Sequence, residues 1–137
     1  MSGPLNVQTV TADAVIAELG ELRDVIAEVQ INGKPLGNAV RFEPASRIDD
    51  PIEVIIAPPS FVYGSNGLGP SGMLVDVYVI AVTSDITVHN LIALERAVAD
   101  AIDLNTDHTV RQSDIGSWRR GGTDLPAYRI LVEAGLE

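Results

Sequence analysis

Gly67-Leu68-Gly69-Pro70-Ser71-Gly72 has the G-x-G-x-x-G spacing of a loop that cradles a dinucleotide pyrophosphate. That chemistry needs a strand before the loop and a helix after it, because amides at the helix N-terminus hold the phosphates. Here the loop runs into MLVDVYVIAV, which reads as a strand, and Pro70 removes one amide. The glycines are therefore assigned to a flexible connection or an extended hairpin. Asp103-Leu104-Asn105-Thr106-Asp107 opens like an EF-hand calcium loop, and Val110 falls where that loop carries an apolar residue. The match fails at His108, where the sharp turn needs glycine, and at Asp114, where a bidentate glutamate belongs. A helix end whose side chains hydrogen-bond the following turn is the reading adopted.

His89 and His108 are the only histidines, and no nucleophile-elbow sequence accompanies either. Asp76 interrupts an apolar strand, where a place near a sheet edge or pairing with an arginine is favoured over service as a buried general base. The absence of cysteine excludes disulfides and thiolate chemistry within the chain. No catalytic residue, metal site or cofactor is expected, and the chain is not read as an enzyme. Recognition is different. Trp118-Arg119-Arg120, with Phe61 and Tyr63, brings together the residue types that carry most binding energy at protein interfaces. One reading is a tryptophan that completes the core beside two solvated arginines. The other is a contact in which the arginines meet an acidic neighbour, and reversing both charges is then expected to weaken association while the monomer stays folded.

The charge balance narrows the class. Nine basic and 19 acidic residues give a net charge of −10 over 137 residues, with no basic block. Proteins that grip nucleic acid do so mainly through lysine and arginine, so this chain is a poor candidate for that role. A solvated acidic surface, or one that sits near DNA without adhering, fits better. The length fits one domain, 1–137, with 1–10 as a loose arm. No secretion leader is expected in MSGPLNVQTV, and no apolar run reaches the roughly 18 residues of a membrane-spanning helix.

These residues must be positioned by a small set of elements. Val15, Ile16, Leu19, Leu22, Ile26 and Val29 recur at spacings of three and four, predicting a helix over about 12–29 capped by Thr11 or Asp13. Gly20 weakens that helix, and a break there is the alternative. Asn32-Gly33 and Gly37-Asn38 are turn signals around an optional hairpin, with a short strand over 39–43. Strands are predicted at 53–57 and 73–82, joined by a loop over 58–72. The second is apolar on both faces and demands cover on both. Thr83-Ser84-Asp85 announces a second, well-buried helix over about 86–102. Strands at 110–120, interrupted by Gly116, and at 127–134, connected by 121–126, close the chain. The fold class is α+β: a mainly antiparallel sheet of about four strands, plus the optional hairpin, flanked by two helices.

The order helix, IEVIIAPPSF, glycine-rich loop, MLVDVYVIAVTSD, TVHNLIALERAVADAI and GGTDLPAYRILVEAGL resembles the tail terminator proteins of phages with long non-contractile tails. The likeness spans about 11–136 and rests on element order and local flavour, with 29–51 departing most. It implies a ring, six-fold in symmetry, that caps the head-proximal end of the tail tube and stops its polymerisation. The other face of such a ring meets a head-completion or stopper protein, and DNA passes through the lumen without specific binding. The implied location is the virion neck, after assembly in the host cytoplasm. A stopper or head-completion protein is the nearest alternative. A small α+β enzyme or ligand-binding domain with 58–72 as a lid, or a regulatory interaction domain, lies further off.

Overall fold

The computed structural model describes residues 11–44, 50–63 and 70–135. It is an α+β fold in which two helices cover one face of a twisted, mixed sheet. Helix α1 (Ala12–Ala27) starts at Thr11, whose hydroxyl accepts from the Ala14 amide at 3.1 Å. It runs through Gly20 without a break. Val15, Leu22 and Ile26 are buried, but Ile16, one residue off that line, is 65% exposed. The apolar stripe is therefore narrower than the periodicity suggests.

Strands β1 (Gln30–Ile31) and β2 (Lys34–Pro35) form a small separate hairpin. Its turn takes Asn32 and Gly33 to φ of 53° and 80°, the left-handed conformation these two residues tolerate. A single 3-10 turn at Gly37–Ala39 leads into β3 (Val40–Arg41), which pairs in parallel with β4 (Ile52–Ile56). The segment expected to be one long loop contains a strand of its own. β5 (Ser60–Tyr63) pairs antiparallel with the first residues of β6 (Pro70–Ala81), so this connection is an extended hairpin. Residues 70–72 of the glycine motif lie in β6, and no helix follows them; 67–69 fall outside the described residues. Gly72 has a steric role, since a Cβ there would meet the Ala134 carbonyl oxygen at 3.1 Å.

Helix α2 (Val88–Asn105) begins later than the Thr83-Ser84-Asp85 cluster suggests. Its cap is Thr87, which accepts from the Asn90 amide at 3.1 Å, while the Asn90 side chain accepts from the Thr87 amide at 3.4 Å. Thr87→Ala is expected to destabilise the fold by about 1 kcal/mol, read as a shift of the urea midpoint with unchanged slope. The helix end spends its polar groups on the turn: the Asp103 carboxylate accepts from the Val110 amide at 3.0 Å, and Thr106 Oγ1 accepts from the His108 amide at 3.0 Å. This is the turn-bonding arrangement expected in place of a calcium loop.

β7 (Thr109–Arg120) and β8 (Thr123–Gly135) form a long hairpin, closed by Gly121 and Gly122 at φ of 56° and 83°. The strands extend to the turn itself, so no connecting loop spans 121–126, and Gly116 does not interrupt β7. The six-stranded sheet has the order β3-β4-β6-β8-β7, with β5 also on β6. Residues 72–80 of β6 pair with β8, so β5 lies on the same side of β6 as β4. The main core fills the space under the helices. It joins Leu22 and Ile26 of α1 and Val98 and Ile102 of α2 to Val54, Val77, Val79, Ile130 and Val132 of the sheet. The alternation anticipated for the last strand holds, with Ile130 and Val132 buried and Arg129 outward.

Candidate functional site

Two places on this frame gather residues suited to recognition. The first lies on the sheet face away from the helices. Ile55, Ile80 and Ala127 are buried there under Tyr78, Trp118 and Leu125. Gly116 pairs with Ala127, and this row of small residues lets the hairpin tip curl down over β6. Trp118 then reaches Tyr78, with ring centroids 4.8 Å apart and planes inclined at 57°, a tilted contact favoured by the ring quadrupoles.

The curl carries Arg120 to Glu53 on β4, 67 residues away in sequence. The Glu53 side chain is fully buried, and its other oxygen accepts from Arg41 at 2.8 Å. One carboxylate thus ties β3, β4 and the hairpin tip together. Arg41 and Arg120 each keep about a quarter of their side-chain surface in solvent (25% and 23%). On the same face Arg129 stands 3.0 Å from Asp76. The side-chain hydrogen bond and the charge of Asp76 raise the Arg129 pKa above its ordinary value. Asp76 lies on a central strand and pairs with an arginine as expected. His108 is buried with Nε2 3.3 Å from a Glu18 carboxylate oxygen, a contact between α1 and the turn that follows α2. His89 is exposed in the first turn of α2.

The second place is a groove along the outer flank of α1. Two adjoining hollows, about 500 and 400 Å³, share Ile16, Leu19, Pro58 and Pro59 as lining. Phe61, Tyr63 and Val15 complete one hollow, and Phe42, Glu43 and Ile56 the other. Both are overwhelmingly apolar, yet Phe61 is 40% and Tyr63 66% exposed. Single exposed apolar residues are ordinary on a protein surface, but a contiguous set of this kind marks a contact site.

The five residues singled out from sequence do not make one surface. Phe61 and Tyr63 lie together in the groove. Trp118 and Arg120 turn inward on the opposite face, and Arg119 projects from the other side of β7, 3.2 Å from Asp124. Reversing both arginines is consequently not a clean test of association, because Arg120→Glu would set a second carboxylate against buried Glu53. Arg119→Glu alone is expected to leave stability within about 0.5 kcal/mol, checked by thermal denaturation. Sequence reasoning passed over Glu53, although a carboxylate inside IEVII was a visible signal. It also placed Ile16 in the core.

Ion pairing decides how the acidic charge is displayed. Arg23, Arg41, Arg111, Arg119, Arg120 and Arg129 all contact carboxylates of the same chain. Among the described residues Lys34 and Arg96 make no ion pair, and no group of acidic or histidine side chains is arranged to hold a metal ion. Among the described residues no helix is long and apolar enough to cross a membrane. No protein-family model and no curated protein matches this sequence.

Proposed function

We propose that this chain is a structural protein of the phage neck, a tail terminator that assembles into a hexameric ring on the head-proximal end of the tail tube. There it stops tube polymerisation and joins the tail to the head-completion or stopper protein. The observation that carries this reading is the open apolar groove of Ile16, Phe42, Pro58, Pro59, Phe61 and Tyr63, a surface suited to a protein partner. The acidic surface supports the second part. With six of the eight arginines paired to carboxylates of the same chain, little positive charge remains for phosphate, and DNA passes through the lumen without being held. The protein acts by contact and has no catalytic role. It is assembled in the host cytoplasm and resides in the virion.

The test is to add the purified protein to polymerising tube protein and to measure tube lengths by electron microscopy. Rings on one end of each tube, with growth arrested, are expected. Unaltered tube lengths and bare ends contradict the proposal. A stopper or head-completion protein would leave growth unaffected and bind only to tubes already capped.

A further inference from the structure

Apart from Leu104 at the end of α2, the large exposed apolar residues among the described ones fall at two edges of the molecule. One edge carries the groove beside β4 and β5. The other carries a ridge on α2 beside β7. Val88, Ile92 and Arg96 are spaced four apart and so lie in line on one flank of α2. The opposite flank carries Ala97 and Ala101, and Ala101 faces Val25 of α1 across a small hollow. The Val88–Ile92–Arg96 line therefore points away from α1, toward the β7 edge. Ile115 of β7 is exposed on the same side of the sheet, since it pairs with Tyr128 of the helix-covered face.

Resting on the ring-forming reading above, we infer that the groove of one copy receives the Val88–Ile92–Arg96 ridge of the next, so that the subunits join head to tail. Shape and charge both select this pairing. The groove is concave and the ridge convex, so each fits the other better than it fits itself. Glu43 lines the groove, while the ridge ends in Arg96; neither makes an ion pair among the described residues. Groove against groove offers Glu43 no cation among the residues that line it, and ridge against ridge, antiparallel about a two-fold axis, sets Arg96 against Val88. A contact between two different patches has no two-fold axis and generates a ring when its rotation closes.

The natural absence of cysteine makes the contact directly testable. Ile16→Cys and Ile92→Cys both alter exposed side chains. Treated with a short bis-maleimide, an equal mixture of the two variants is expected to yield a covalent dimer that neither yields alone. The doubly substituted chain should yield a ladder of covalent multimers. Dimers from one variant alone would overturn the inference in favour of a like-to-like contact. No dimer from the mixture would overturn it in favour of another occupant, such as the tube protein or residues 1–10. Light scattering on the same samples separates the two levels of the argument. Rings without cross-links leave the ring standing and remove this interface, whereas monomers at every concentration remove self-assembly as well. Arg96→Glu is expected to weaken association roughly fivefold, with recovery in combination with Glu43→Arg. Failure of that recovery would contradict the charge pairing.

Discussion

Glu53→Ala is expected to cost about 3 kcal/mol of folding stability, the largest effect of any single polar substitution in this chain. The carboxylate is fully buried between Arg41 and Arg120, and removing it takes from both guanidinium groups the buried charge they share, leaving Arg41 with Asp50 at 3.5 Å. Each arginine can turn partly to solvent, which places the cost at the lower end of that for breaking a buried pair. Urea denaturation with matched slopes measures it directly. A double-mutant cycle between Glu53→Ala and Arg120→Ala should return a coupling of at least about 1 kcal/mol. The tip of the β7–β8 hairpin should also lose amide protection, because Glu53 is what fastens that tip to β4. A variant with wild-type stability and a protected tip would show that Trp118 against Tyr78 suffices to hold the curl.

Phe61→Asp combined with Tyr63→Asp is expected to abolish association while leaving the monomer folded. Both side chains are well exposed on β5, so substitution removes little core. Each is an aromatic residue in an apolar groove, where truncation typically costs 2 kcal/mol or more, about thirtyfold in affinity per residue. Introducing a carboxylate adds the cost of desolvating it in the interface. Analytical ultracentrifugation, with far-ultraviolet circular dichroism as the folding control, reads both parts of the expectation. Wild-type assembly by the double variant would remove the groove from the interface.

The parts of this fold legible in the sequence are those where burial is one-sided and local. The stripe of α1 apart from Ile16, the helix cover on one face of β6, and the alternation of Tyr128, Ile130 and Val132 all survive in the structure because each reports which face touches the core; the other face of β6 keeps Leu74, Asp76 and Tyr78 half-exposed. What escaped reading lies where that signal fades. At the tip of the β7–β8 hairpin Thr123, Asp124 and Leu125 show no core-facing periodicity, so β8 reads as starting at 127 and not at Thr123, whereas β7 ends where the sequence places it, at Arg120. β5 is a four-residue edge strand with every side chain exposed, and nothing in its pattern distinguishes it from a loop. The Glu53–Arg120 clasp joins positions 67 residues apart, a separation at which no local pattern helps. Ile16 and Val88 satisfy helical spacing yet stay outside the core, because spacing alone does not fix how wide the covered arc is. Phe61 and Tyr63, visible in the sequence as exposed-loop aromatics, lie together in an apolar groove. The prolines and α1 flank that complete this groove are a product of tertiary packing.

The measurement that bears most directly on the neck assignment is electron microscopy of lysates from a phage carrying a stop codon at Gln8. Over-long tubes beside separate, filled heads are the predicted result, because without its cap the tube continues to grow and cannot join. Normal infectious particles would contradict the account outright, and tails of ordinary length beside unattached heads would place the protein on the head side of the joint instead.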